Sequence, residues 1–193
     1  KVAQIAAGSL LHYMQETQKA ALRHLRRVYA YESNEYMSLD PATKRNLELT
    51  TSIQEGGTDG TLISIMDETI TAMGGRLLRR WIMRPLKKLK PIQQRLDAVE
   101  FLNDGHDIRN TLREELDQVG DLERLISRIC VGRTNARDIS QIQLSLAQIP
   151  RIKSQIASSG DPLLENISGR LKLMVEVQDR IRTAINDDPP ASI

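Results

Sequence analysis

The chain has 193 residues, with 27 Lys and Arg against 25 Asp and Glu, a net charge of +2. That near balance argues against a nucleic-acid module held by charge alone. Aromatic residues make up only 3%, with a single Phe (Phe101) and a single Trp (Trp81), which leaves little for base stacking.

Leu, Ile, Arg and Ala dominate, which favours helix over sheet, and the length suffices for a substantial core. The expectation is a mainly α chain: an irregular multi-helix bundle with one small antiparallel β-hairpin. A first helix covers residues 1 to about 20, with Val2, Ile5, Ala6, Leu10, Tyr13 and Met14 on one stripe. The period then changes. Leu25–Glu32 and Glu35–Leu39 read as strands about a Ser33-Asn34 turn, which places the hairpin at about 25–40. Asp40-Pro41 opens a short helix through Asn46, Leu47 and Leu49. The three glycines of 54–60 make a loop. Leu62, Ile63, Ile65 and Met66 then form a short helix.

The central helix, at about 71–84, organises the rest. Thr69 or Thr71 supplies its N-cap hydroxyl, and Pro85 stops it. Met73, Leu77 and either Arg80 or Trp81 recur at helical spacing, with Leu78 and Ile82 alongside. Arg76, Arg79, Arg80 and Arg84 point elsewhere, giving a cationic face. Gly74 and Gly75 are poor helix formers, so another backbone is expected to pass close by. Thr71, Gly74, Leu77, Trp81 and Pro85 are therefore the expected structural hub.

Pro91 opens the next helix, with Ile92, Leu96, Val99 and Leu102 on one face, and Gly105 breaks it. Asp107 caps another, ended by Gly120, and Asp121 caps a third, stopped by Gly132. Asn135 begins a long helix to about Ala157, with Pro150 expected to kink it. Asp161-Pro162 starts one last helical stretch that carries Ile167, Leu171, Met174, Val177 or Gln178, Ile181 and Ile185, and ends at Asp187-Asp188-Pro189-Pro190. Residues 1–132 read as a core subdomain and 133–193 as long helices that continue it, the two making one continuous core domain.

Catalytic patterns are missing. Gly56–Thr61 has glycines but no Lys-Ser/Thr after them, so it is no phosphate loop. His12, His24 and His106 lack neighbours at ligand spacing, so no metal is expected. Cys130 excludes an internal disulfide framework and reads as a small buried thiol beside Ile126 and Ile129. No apolar run reaches membrane-spanning length and no signal peptide is visible, so a cytoplasmic chain with no membrane partner is expected. It opens on Lys1, which suits a processed chain or a piece of something longer.

The basic run Arg76, Arg79, Arg80, Arg84, Lys87, Lys88 and Lys90 is the one patch to weigh. Phosphate contact is one reading, with Arg76, Arg79, Arg80 and Arg84 as its candidates. A solvated face paired with neighbouring carboxylates is favoured, because charge elsewhere is balanced and aromatics are not interleaved.

Several segments resemble the MutS DNA mismatch repair family. They are Tyr36–Asp40, Thr43 and Asn46–Leu49; Gly60–Leu62 through Asp67; Thr71–Trp81 with Pro85-Leu86; Ile92 and Arg95–Glu100; Asp121–Leu125; and Asn135–Asp138. The resemblance spans almost the whole chain, and order and spacing make it specific. It implies the helical core of a larger machine, between the mismatch-reading and connector domains and the lever, clamp and ATPase. In that family the core links nucleotide state at one end to DNA grip at the other.

The family's Phe-x-Glu mismatch reader is missing, since Phe101 is followed by Leu102-Asn103, and so is its phosphate loop. No catalytic, cofactor or metal residue carries over. The resemblance therefore implies a chain that is not itself an enzyme and holds no cofactor, with ATP and Mg in the parent's ATPase domain. The implied partners are the parent's other domains and, through a homodimeric parent, mismatched duplex DNA. The competing expectation is a free-standing helical DNA-binding or protein-interaction module using the basic stretch 76–90.

Overall fold

The computed structural model describes residues 2–18, 35–54, 56–186 and 189. The chain divides into two compact units, Lys1–Ser33 and Asn34–Ile193. The first contains α1 (Val2–Gln18), whose Val2, Ile5, Leu10 and Tyr13 are exposed. Thr17 Oγ1 donates to the Tyr13 carbonyl at 2.8 Å in its last turn.

The second unit carries the other nine helices found among the described residues: α2 (Pro41–Asn46), α3 (Leu62–Met66), α4 (Ala72–Met83), α5 (Leu89–Asp104), α6 (His106–Asp117), α7 (Leu122–Cys130), α8 (Ala136–Ala157), α9 (Pro162–Arg170) and α10 (Val175–Ala184). Most starts follow from a side chain that accepts an otherwise orphaned backbone N–H. Asp40 accepts from Thr43, Thr61 from Ser64, Thr71 from Gly74, Asp121 from Arg124, and Asp161 from Leu163 and Leu164. Asn135 and Asp138 form a reciprocal capping box at the start of α8.

The core lies in a helical body. Ala98 of α5, Leu112 of α6, Ile152 and Ile156 of α8 and Leu164 of α9 form one buried cluster, with Phe101, Leu102 and Leu116 packed against it. The helix α8 is its axis, in extensive contact with α6, α7, α9 and α10. It runs unbroken through Pro150. Ser145, fully buried on α8, accepts from the Gly120 N–H at 2.9 Å and donates to the Gln141 carbonyl at 2.7 Å. This joins the α6–α7 turn to the body.

Residues 35–86 form a layer beside this body, within the same compact unit. Leu49 and Ile63 are buried there, and the Glu48 and Leu49 carbonyls accept from the Leu62 and Ile63 N–H groups at 3.1 Å each. Those bonds satisfy donors that the start of α3 would otherwise leave open. Neither α2, α3 nor α4 belongs to any of the extensively packed helix pairs.

The structure corrects several expectations. The hairpin expected at 25–40 is not found among the described residues. Leu25–Asn34 lie outside the described residues. The part that is described, from Glu35 to Leu39, does not pair with a sequence neighbour. Tyr36 bridges Leu86 in antiparallel fashion, with Met37 N–H on the Pro85 carbonyl at 2.7 Å and Lys87 N–H on the Glu35 carbonyl at 3.0 Å. Pro85 ends α4 and leaves the chain after it extended, so it presents an edge to Tyr36. No strand longer than this single bridge occurs among the described residues.

The last helical stretch is two helices rather than one. The chain breaks at 171–174, where Lys153 Nζ takes the Leu171 carbonyl at 3.1 Å and Met174 adopts the left-handed region at φ 50°. Cys130 is exposed, not a buried thiol. It ends a helix with no fully buried residue, just before Gly132 turns the chain at φ 68°.

Candidate functional site

The helix α4 and the polar contacts around it form the site to which the sequence points. Thr71, rather than Thr69, is its N-cap: Thr71 Oγ1 accepts from the Gly74 N–H at 3.0 Å. The two glycines do have close neighbours, but these are side chains of the approaching chain. A Cβ at Gly74 would stand 3.1 Å from Thr71 Oγ1, and one at Gly75 would stand 3.2 Å from Thr69 Oγ1. Thr69 is itself fixed by Asp67, whose Oδ1 accepts from the Thr69 hydroxyl at 2.6 Å. Those Thr69 hydrogen bonds, with a smaller attraction from Arg79, hold the Asp67 carboxyl below its ordinary value.

Leu77 and Trp81 are 42% and 39% exposed, and no residue of α4 is fully buried within the chain. At the far end Arg84 caps the helix and the Pro85 carbonyl serves the bridge to Met37. Thr71 acts through its hydroxyl, and Gly74 and Pro85 through their backbone, at the two ends of α4. Leu77 and Trp81 are only partly covered.

The basic residues divide. Arg76 is clasped by two carboxylates at the start of α7: its Nη1 and Nη2 meet Asp121 Oδ2 and Oδ1 at 2.9 and 2.7 Å, and its Nε and Nη2 meet Glu123 Oε2 at 2.9 and 2.8 Å. This fork-on-carboxylate geometry is the strong form of such contacts. Hydrogen bonding from Arg76 is the main reason the Asp121 carboxyl lies below its ordinary value. Lys88 pairs with Glu35 at 3.2 Å. Arg80, Lys87 and Lys90 make no ion pair among the described residues.

Sequence reasoning missed two more arginines. Arg95 of α5 lays its guanidinium 3.6 Å from the centroid of the Trp81 ring, and burial there lowers its pKa. Arg113 of α6 donates from Nη1 to the Glu68 carbonyl at 3.1 Å. Neither has a local signal, because each reaches a residue far off in the chain. Arg128 and Asp138 make a further pair at 2.8 Å that holds α7 on α8.

His12 and His106 fall in separate units, and His24 lies outside the described residues. No group of three or more His, Cys, Asp or Glu side chains among the described residues could hold a metal ion. No helix among the described residues is long and apolar enough to cross a membrane.

A helical body with an α4 layer tethered to it by polar contacts defines a mainly helical class of fold among the described residues. The family model MutS domain III matches residues 42–193, and the chain belongs to that family. It is 47% identical over 189 residues to the DNA mismatch repair protein MutS of Salinibacter ruber, covering 98% of this chain and 21% of the relative. It is 43% identical to MutS of Pelotomaculum thermopropionicum, over 97% of this chain and 22% of that protein. It is 39% identical to MutS of Chlorobium chlorochromatii, over 100% and 22%. The chain thus spans about a fifth of the length of these relatives.

Proposed function

We propose that the chain is the non-catalytic structural core of a MutS-like DNA mismatch repair ATPase, relaying nucleotide-driven conformational change between the ATPase and the DNA-gripping clamp. The observation that carries this reading is the single buried cluster contributed by α5, α6, α8 and α9. A close-packed interior does not deform smoothly, so a push at one end of the body reaches the other as a rigid displacement. On this reading ATP and Mg bind elsewhere in a homodimeric, cytoplasmic parent, and mismatched duplex DNA is a partner of the parent. Thr71, Gly74, Leu77, Trp81 and Pro85 are then the structural hub of that core, around α4.

A DNA-binding module built on 76–90 has less support, because Arg76 and Lys88 are already engaged by carboxylates. The test replaces the corresponding segment of the Salinibacter ruber relative with this chain. Measured on the folded chimera, ATP is expected to change affinity for mismatched duplex as it does in the unaltered relative. A chimera that folds and hydrolyses ATP, yet shows no nucleotide-dependent change in that affinity, would overturn the reading.

A further inference from the structure

The layer of residues 35–86 and the helical body that follows it meet along a seam of arginines. None of the buried cluster comes from the layer, whose buried Leu49 and Ile63 lie apart. Three arginines cross instead. Arg76 reaches from α4 to Asp121 and Glu123. Arg95 reaches from α5 to the Trp81 ring, and Arg113 from α6 to the Glu68 carbonyl. The covalent link is the short stretch from Arg84 to Lys88, extended around the bridge at Leu86.

A seam closed by burial of apolar surface would be indifferent to moderate salt or strengthened by it. A seam closed by half-exposed ion pairs is weakened, because dissolved ions screen it. Arg76 is 44% exposed, Asp121 21% and Glu123 62%, so screening acts on the clasp, most strongly at Glu123. The clasp remains in reach of solvent, so its closed state can be reversed by screening even though its geometry is of the stronger kind. The bidentate geometry at Asp121 gives the closed state one defined register.

We infer that Arg76 with Asp121 and Glu123 is an electrostatic latch that closes the α4 layer on the helical body, and that releasing it lets the layer swing about the 84–88 connection. This rests on the relay reading and adds a moving joint to it, between α4 and α7. The open state exchanges the Arg76 contacts for solvent and leaves the core cluster untouched. Arg95 and Arg113 tether the same seam at its other points and limit the swing.

The chain supplies its own reporters. Trp81, its only tryptophan, is on α4, and Cys130, its only cysteine, is exposed on α7. A dye that accepts energy from tryptophan, attached at Cys130 of the 193-residue chain, reads the distance across the seam. Transfer is expected to fall as sodium chloride is raised, with helix content by circular dichroism unchanged. Arg76→Gln is expected to show the reduced transfer already at low salt. Should Arg76→Gln lose helix, the pair Asp121→Asn with Glu123→Gln carries the same test, since Asn keeps the α7 cap. Transfer that is flat with salt, or that falls with salt equally in wild type and in the latch variants, would overturn the inference. Because the readout uses neither ATP nor DNA, its failure is separate from failure of the relay.

Discussion

Arg95 and Trp81 face each other across the seam, guanidinium against indole, 3.6 Å from carbon to ring centroid. The stack joins α5 to α4 and covers part of a tryptophan that remains 39% exposed. Such a contact contributes on the order of 0.5–1 kcal/mol at an accessible site. Arg95→Ala should therefore lower the denaturation midpoint slightly and shift Trp81 emission to the red. Emission identical to wild type would show that the stack does not persist in solution.

Leu112 and Leu77 should respond differently to truncation. Leu112 is 8% exposed inside the core cluster, whereas Leu77 is 42% exposed on α4. Leu112→Ala should cost about 2–5 kcal/mol, the range for buried leucines. Leu77→Ala should cost about 1 kcal/mol or less, because little area is recovered from water. Chemical denaturation of the two variants measures both, and equal losses would contradict the placement of the core in α5, α6, α8 and α9.

Ser145 carries no charge and no apolar bulk, yet it is fully buried. Its hydroxyl is the acceptor for the Gly120 N–H. Ser145→Ala would leave that donor unsatisfied, at a cost of roughly 1–3 kcal/mol. Hydrogen exchange at Gly120 should rise in step. Protection that survives the substitution would mean another acceptor takes over.

Asp121 sets a pH dependence. Hydrogen bonding from Arg76 lowers its folded pKa below the reference 3.8. The folded state thus favours the ionised form, and the stability so gained is present above 3.8 and lost as pH falls through the lower folded value. The stability difference between wild type and Asp121→Asn should be present at neutral pH and vanish on acidification below that range. A difference that persists in strong acid would remove the Arg76 contact as its cause.

Local chemistry explains what the sequence made legible. Asp40-Pro41, Thr71, Asp121, Asn135 and Asp161-Pro162 mark helix starts because a cap and its donor lie within three residues of one another. Asp107 failed as a cap: it sits in the first turn of α6, and Gly105 takes the cap position. Extended backbone around Tyr36 was readable, but its partner Leu86 was not, since alternation says nothing about which chain pairs. The break before α10 lies where Lys153 reaches the Leu171 carbonyl from α8, a contact with no local signal. Arg76 stood out as a cation, while the carboxylates that hold it lie 45 and 47 residues away.

The central claim is that a stiff body passes motion on without chemistry of its own. The direct measurement is the ratio of mismatched-duplex affinities with and without ATP, in the chimera that carries this segment, before and after Leu112→Ala. Loosening the core is expected to leave ATP turnover unchanged and to reduce that ratio by about tenfold, equivalent to about 1.4 kcal/mol of coupling. A ratio unchanged by a substitution that demonstrably lowers the unfolding midpoint would contradict the account.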